Sequence, residues 1–167
     1  MGGGALGREI CTYARELGWE VLVIVDDDPE AVAAFPDMPP VLGGLRDYDY
    51  PADHEYLIAV GSCGRRATFD RVLADRGGRR LATLVHPTAW VAPSAVLGEG
   101  SIVCPLALVA VHAVVGRNVL INTHASVCHD GRIGDQLQAS NPSGEGGCTG
   151  RDRSRPRDRQ QPLSQAP

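Results

Sequence analysis

The sequence predicts an α/β domain with a parallel sheet, then a parallel β-helix, then a disordered tail. Three observations support this. Residues 1–85 alternate short apolar runs with segments of helical periodicity, which is typical of a parallel sheet with crossover helices. Residues 86–135 place an aliphatic side chain at every sixth position. Residues 136–167 have only Leu137 and Leu163 as large apolar residues, too few to offset the entropy of ordering.

Within the first domain, apolar residues recur at helical spacing over 8–17, 30–35 and 65–76, and we expect helices there. Continuous apolar runs over 21–25, 56–60 and 81–85 are typical of strands that are buried on both faces. Gly18, Pro29 and Gly61 end three of these segments.

The second domain has a strict period of six. An even period keeps positions i and i+4 on the same face of a strand in every repeat, so both should point into the coil. Small residues dominate position i+4, where the wall must close, and position i+1 favours residues that tolerate a bend. The aliphatic residues at position i are Val91, Leu97, Val103, Val109, Val115, Ile121, Val127 and Ile133.

Composition excludes several functional classes. The chain has 167 residues, a net charge of -4 and a pI of about 5.7, so we expect no nucleic-acid-binding surface. No apolar run reaches the roughly 18 residues of a membrane span, and no secretion signal is recognisable. The five cysteines lie far apart with no C-x-x-C pair. This pattern predicts free thiols in the cytoplasm and no metal site.

The opening glycines are the first candidate binding feature. Gly2, Gly4 and Gly7 fit the spacing G-x-G-x-x-G and lead into a helix, where backbone N–H groups can approach a phosphate. Asp26 and Asp27 follow about 20 residues later, at the end of the next strand, where nucleotide-binding folds place an acid near the ribose. We therefore expect a nucleotide site, and a dinucleotide cofactor such as NAD is the less favoured interpretation.

The second candidate feature is His129, which Asp130 follows directly. A carboxylate beside an imidazole can orient the ring and raise its basicity, as a general base requires. A surface histidine next to an aspartate is by itself weak support for catalysis. We expect His54, His112 and His124 to lie on the surface, and His86 to be a structural residue.

The chain resembles hexapeptide-repeat sugar acetyltransferases of the sialic-acid O-acetyltransferase and bacillosamine N-acetyltransferase type. The resemblance covers roughly residues 2–135. It rests on GGGALGRE at 2–9, VDDD at 25–28, IAVG at 58–61, INTHASVCHD at 121–130 and IGD at 133–135. The family implies a Rossmann-like N-terminal domain, a left-handed β-helix and a homotrimer. We expect the first strand of that domain to be missing from this sequence. It also implies transfer of an acetyl group from acetyl-CoA to an amine or hydroxyl of a nucleotide-linked sugar in surface-glycan biosynthesis.

The resemblance also implies roles for individual residues. His129 matches the general base, Asp130 its supporting acid, and Asn122 a polar residue near the reaction centre. The nucleotide-sugar would contact the loop Gly4, Ala5 and Leu6, the acids Asp26 and Asp27, and Gly61. Neither a metal nor a covalent nucleophile is implied, and Cys128 is interpreted as a turn residue.

This sequence departs from the family pattern after residue 135. There the family continues for several coils, which contain most of the acetyl-CoA pocket, and Gln138 stands where the family has a histidine. Truncation, or a frameshifted tail over 136–167, is our hypothesis, and we expect weak trimer assembly as a result. Two alternatives therefore stay open: an inactive or binding-only remnant of such an enzyme, and a nucleotide-dependent oxidoreductase.

Overall fold

The computed structural model describes residues 1–140, and its second half is a parallel β-solenoid of about three turns. Ten two-residue strands form three parallel sheets. Sheet I has the order β1-β4-β7-β10, sheet II β2-β5-β8 and sheet III β3-β6-β9. Each strand pairs with the strand one coil later, 18 residues along the chain, as Leu84 does with Ile102. The strands are β1 (Leu84–Val85), β2 (Trp90–Val91), β3 (Val96–Leu97), β4 (Ile102–Val103), β5 (Leu108–Val109), β6 (Val114–Val115), β7 (Leu120–Ile121), β8 (Ser126–Val127), β9 (Arg132–Ile133) and β10 (Gln138–Ala139).

The interior of the solenoid confirms the predicted six-residue pattern. One core cluster contains the aliphatic residues at position i together with the small residues at i+4. Val103, Val109 and Ile121 are fully buried in it, as is Ala113 from the i+4 row. The left-handed sense of winding stays a prediction.

The corners of the solenoid use a left-handed backbone at one fixed place in each repeat. Position i+3 has a φ between 53° and 76° at seven successive corners. Asn, Asp and Gly tolerate this conformation well, but a leucine does not. The seven residues are Gly100, Leu106, His112, Asn118, His124, Asp130 and Gln136.

The N-terminal part contains two helices, α1 (Ala5–Glu16) and α2 (Cys63–Asp75). Residues 30–35, predicted as a short helix, form only turns. The predicted strands over 21–25 and 56–60 contribute only isolated parallel bridges, Ile24 to Val41 and Tyr56 to Leu81. The Rossmann-like domain therefore stays a prediction, because no strand ladder forms within residues 1–83.

Hydrogen bonds nevertheless fix the order of the extended segments. Gly2 N–H donates to Val25 O, and Ala59 N–H donates to Met1 O. Residues 1–2 thus lie between the segments 21–26 and 56–60. The segments at 40–43 and 80–82 bond to the outer sides of these two. A core on one side of this layer contains Tyr50, Ile58, Phe69 and Leu73.

The solenoid extends beyond both predicted limits. Its first strand β1 lies within the predicted first domain of residues 1–85, since it pairs with β4. Its last strand β10 lies after residue 135, where the sequence analysis places the start of the tail. Ala139 occupies the next position of the six-residue period. Because its side chain is small, the aliphatic pattern does not reveal strand β10. The rest of the predicted tail, 141–167, lies outside the described residues.

The N-terminal part packs on the outer face of sheet I. The outward positions Leu84, Ile102 and Leu120 are fully buried there, in one cluster with Ile10 and Ala14 of α1. Each such aliphatic side chain contributes about 2 kcal/mol by leaving water. Neither helix within residues 1–140 is long and apolar enough to cross a membrane.

Arg66 of α2 is the central polar link between the two parts, and it is 0% exposed. Its Nη2 donates to Asn118 Oδ1 at 2.6 Å, and its Nη1 donates to Ile58 O at 2.7 Å. Nε also donates to the Asn118 carbonyl, at 3.1 Å. Burial lowers the pKa of Arg66 to about 10, so the guanidinium stays charged at neutral pH.

A second polar link lies one helical turn further along α2. The buried carboxylate of Asp70 accepts from Arg117 Nη2 at 3.1 Å and from Gln136 Nε2 at 3.0 Å. Because Arg117 and Gln136 lie on successive coils, one helical side chain holds two coils together.

Replacing Arg66 should lower the stability of the chain, because this residue links the N-terminal part to the solenoid. We expect Arg66→Met to lower the free energy of unfolding by about 3 kcal/mol, because buried carbonyl acceptors lose their donors. Urea unfolding followed by circular dichroism measures the loss. The exposed Arg71→Met on the same helix is the control and should change stability by less than about 0.5 kcal/mol. An equal, small effect of both variants would contradict the assigned role.

Relieving backbone strain should stabilise the solenoid. Leu106 has a φ of 58° and is 55% exposed, so its side chain gains little from burial. We expect Leu106→Asn to raise the free energy of unfolding by about 1 kcal/mol, because asparagine adopts the left-handed conformation more readily. The same urea titration tests this, with Leu42→Asn on an exposed loop residue as control. A destabilised Leu106→Asn would show that the strain is not the dominant effect.

Candidate active site

His129 and Asp130 follow β8, at the corner between sheets II and III. His129 Nδ1 lies 2.8 Å from Asp130 Oδ2, and the two side chains are 76% and 62% exposed. The Asp130 N–H donates to Val111 O in the coil below. Asp130 has a φ of 57°, in the left-handed region that position i+3 adopts at each of the seven corners described above. The repeat therefore fixes the backbone of the pair.

This arrangement can act as a general base. When Nδ1–H donates to the carboxylate, the neutral ring carries its lone pair on Nε2, which is then able to accept a proton. Because both groups are open to solvent in one chain, the hydrogen bond between them is weak until something excludes water. A substrate or a second surface over this corner would supply that exclusion.

Asn122 does not meet His129 within one chain. It follows β7 at the corner between sheets I and II, whereas His129 lies at the other end of β8. Its side-chain oxygen accepts the Thr123 N–H at 3.1 Å. The structure therefore places these two predicted catalytic residues at different corners of the prism.

The glycine loop has the geometry that its spacing predicts. A Cβ on Gly7 would lie 1.8 Å from Gly2 O, so helix α1 packs directly on the strand-like residues 1–2. Gly2 itself needs a positive φ of 99°. A Cβ on Gly4 would meet nothing within 4 Å, so the start of α1 faces open space, next to Ala5 and Leu6. Asp26 Oδ2 accepts the Gly3 N–H at 2.7 Å and thus holds the loop.

The two predicted acids bond to different segments of the N-terminal part. Asp26 is beside the glycine loop, but Asp27 Oδ1 accepts the Leu45 N–H at 2.7 Å and so points to the neighbouring segment. Gly61 is exposed and directly follows Val60, which lies against Gly2, and a Cβ on Gly61 would lie 3.9 Å from Gln138 Oε1. The glycine loop, Asp26 and Gly61 thus converge at one edge of the N-terminal part, which we call the loop edge.

Within residues 1–140, no hydrogen bond joins His129 to the loop edge. The N-terminal part covers sheet I, and its contacts reach the two corners that flank this sheet, through Arg66 to Asn118 and through Glu16 to His86. The third corner, which carries His129, is the one opposite sheet I. The structure therefore does not bring the candidate base and the loop edge together in one chain.

His86 is a structural residue, as predicted, but the sequence does not reveal its partners. This buried residue bonds Glu16 Oε2 through Nε2 at 2.9 Å and Thr88 Oγ1 through Nδ1 at 2.9 Å, and its ring packs edge-on against Tyr13. No signal in the single sequence pairs it with a helix 70 residues earlier. His54, predicted to be on the surface, is half-buried.

The cysteines within residues 1–140 form no disulfide. Burial raises the pKa of the Cys104 thiol to about 12, and Cys128 is exposed next to His129. Within the described part of the chain, no group of three or more His, Cys, Asp or Glu side chains could hold a metal ion.

Solved structures with the same fold include sugar acetyltransferases. No protein-family model matches the chain. The acetyltransferase domain of PglB from Neisseria gonorrhoeae FA1090 is 30% identical, with a TM-score of 0.71 over 82% of this chain and 67% of that one. PerB from Caulobacter crescentus is 31% identical, with a TM-score of 0.72 over 82% of this chain and 65% of that one. The chain belongs to this family of sugar acetyltransferases.

The ligands of these relatives are of two kinds. The PglB domain has been solved with acetyl coenzyme A, and PerB with CoA and GDP-perosamine. WeeI from Acinetobacter baumannii AYE, at 22% identity and a TM-score of 0.67, shares the fold. The chain spans about two thirds of the length of these proteins.

Proposed function

We propose that the protein transfers an acetyl group from acetyl-CoA to an amine or hydroxyl of a nucleotide-linked sugar, as a cytoplasmic step of surface-glycan synthesis. The observation that carries this proposal is the His129–Asp130 pair, which lies at a corner of the solenoid. A relative of the same fold has been solved with acetyl coenzyme A. Two solved structures of the perosamine enzyme carry a substituted histidine, which supports a histidine as the base.

In the proposed reaction, His129 Nε2 takes the proton of the sugar amine or hydroxyl as that group attacks the thioester carbon. The C–S bond then breaks, and the CoA thiolate leaves with the proton that the imidazolium returns. Asp130 stabilises the imidazolium through Nδ1. Such general-base help contributes roughly 10²–10⁴-fold, and the positioning of the two substrates supplies much of the rest.

The loop edge is the proposed acceptor site. Here we propose a Rossmann-like nucleotide-binding domain, with the phosphates at the N–H groups of Gly4, Ala5 and Leu6. Asp26 and Asp27 would flank the nucleoside, and Gly61 would leave room for the sugar. The open space over Gly4 and the bond from Gly3 to Asp26 support this assignment. Asp27 would contribute indirectly, because Leu45 already occupies one of its oxygens.

We further propose that a homotrimer completes the site, because the candidate base and the loop edge lie apart in one chain. Sheets II and III, which the N-terminal part leaves uncovered, carry large exposed apolar side chains: Trp90 is 52%, Val96 56% and Leu108 40% exposed. Solvent-exposed apolar rows of this kind mark interaction surfaces. Three left-handed prisms in contact would place His129 of one chain against Asn122 and helix α1 of the next.

The test of the base is acetyl transfer by the full chain. With acetyl-CoA and nucleotide-linked amino sugars as substrates, we expect His129→Ala to lower the rate of CoA thiol release at least about 100-fold. Asp130→Asn keeps the left-handed backbone and should lower kcat less than His129→Ala does. His54→Ala, on a half-buried histidine of the N-terminal part, is the matched control.

Three results would contradict this function. Full activity of His129→Ala would remove the base from the mechanism. A wild-type chain that binds the nucleotide-sugar but releases no thiol would instead be the binding-only alternative. Tight NADH binding without CoA binding would favour an oxidoreductase.

The trimer is tested by light scattering together with the rate of acetyl transfer. Because we expect assembly to be weak, the test uses a protein concentration at which the wild-type chain is a trimer. There we expect Leu108→Glu to give monomers and to remove activity, because a charge would be buried at the interface. Leu42→Glu, on a leucine that is 57% exposed in the N-terminal part, should leave both unchanged. A fully active wild-type monomer would overturn the shared site.

A further inference from the structure

An exposed aromatic ring lies beside the glycine loop, close to the proposed acceptor site. Phe35 is 40% exposed, in the turns that follow the segment 21–25. The Arg8 guanidinium of helix α1 lies over this ring, with its Cζ 4.0 Å from the ring centroid. Arg8 Nη1 also donates to Gly3 O at 3.2 Å. A single guanidinium group therefore connects the aromatic ring to the glycine loop.

The ring is held in place although it is exposed. Phe35 N–H donates to Val32 O at 2.8 Å, and the buried Val32 lies in one core cluster with Cys11 of α1. On the other side of the ring, Arg15 Nη1 of the same helix donates to Asp37 O at 2.7 Å. The turns that carry Phe35 are thus fixed to α1 on both sides. A lone exposed apolar side chain is ordinary, but one that is fixed beside a charged group offers a preorganised contact surface.

Asp26 connects the glycine loop to the turns that carry the ring. Its Oδ2 accepts the Gly3 N–H at 2.7 Å, and its Oδ1 accepts the Asp28 N–H at 3.0 Å. The open start of α1 at Gly4, the Asp26 carboxylate and the Phe35 ring are therefore neighbours. These three features correspond to the three parts of a nucleotide, in which the ribose joins the phosphates to the base.

We propose that Phe35 and Arg8 form the platform that binds the base of the nucleotide-linked sugar. This inference rests on the acceptor site proposed above. The base stacks on the exposed part of the Phe35 ring, and the guanidinium holds the ring from the other face by a cation–π contact. Stacking on an aromatic side chain is a general way to bind a nucleobase, because every base has a π-face.

Arg8 also adds positive charge where the phosphates of the nucleotide are proposed to lie. Its guanidinium is half-buried in the first turns of α1, near the free N–H groups of the helix start. Within residues 1–140, its Nη1 makes a hydrogen bond, but its Nε and Nη2 make none. Charge-assisted bonds from arginine to phosphate are among the stronger hydrogen bonds in proteins. One side chain thus supports the base and the phosphates of the same ligand.

The test is nucleotide binding by the full chain, with GDP as a purine probe and UDP as a pyrimidine probe. We expect Phe35→Leu to weaken the binding of each nucleotide that the wild-type chain binds by about 10-fold or more, because leucine keeps the apolar bulk but has no aromatic face. Isothermal titration calorimetry measures the dissociation constants. Trp19→Leu, on another exposed aromatic residue at the opposite end of α1, is the matched control and should leave them unchanged.

A second variant separates stacking from folding and from apolar bulk. Phe35→Tyr keeps the aromatic face, so it should bind both nucleotides as the wild-type chain does. In NMR spectra the base protons of the bound nucleotide should shift upfield with the wild-type chain and with Phe35→Tyr, but not with Phe35→Leu, because only an aromatic ring produces a ring current.

The outcomes distinguish this platform from the acceptor site as a whole. Unchanged binding by Phe35→Leu, or an equal loss in Phe35→Leu and Phe35→Tyr, would overturn the platform and leave the acceptor site in place. Unshifted base protons on the wild-type chain would do the same. A wild-type chain that binds neither GDP nor UDP would overturn the acceptor site, and the platform with it.

Discussion

The six-residue period decides which side chains of the solenoid can take part in chemistry. Positions i and i+4 fill the interior, and position i+1 lies at the bend, so the freely presented side chains are those at i+2, i+3 and the outward strand position. His129 and Asp130 occupy i+2 and i+3 of one corner. Because that corner stacks on the equivalent corner 18 residues earlier, where the Asp130 N–H donates to Val111 O, the backbone of the pair is preorganised without any dedicated loop.

The same period explains how the two parts of the chain recognise each other. On sheet I the outward strand positions are Leu84, Ile102 and Leu120, and all three are buried under α1. On sheet II the corresponding residues are Trp90, Leu108 and Ser126, all of which are exposed. Apolar burial supplies most of the attraction, but it is not directional. The guanidinium of Arg66, with its fixed donor geometry, adds the register between α2 and the corner at Asn118.

Sequence reasoning worked where the physics is local or periodic, and it failed where partners are distant. The period of six predicted the interior of the solenoid residue by residue, because strand parity leaves no freedom. It missed β10, since the inward residue there is Ala139.

Helices α1 and α2 were found with ends shifted by one to three residues. Arg66 shares a helix face with Phe69 and Leu73, a spacing that could have predicted its burial. The sequence around Arg66 does not indicate that Asn118 is its partner. The bridges at Ile24 and Tyr56 are shorter than the apolar runs predict, because a strand needs paired neighbours along its whole length.

The corner that carries the candidate base limits which parts of the molecule can complete an active site around it. A β-helix has three corners, and the N-terminal part contacts the two that flank sheet I. Any residue at the third corner, however well oriented, is directed away from the loop edge of its own chain. His129 is there, with more than half of its side chain in water. A general base gains most when its substrate is held in place and water is excluded, and a single chain offers neither at that corner. The separation between base and loop edge is thus itself an argument for an assembled enzyme. In the assembly proposed above, a neighbouring chain would cover the exposed residues of sheets II and III and would present its own loop edge to the imidazole.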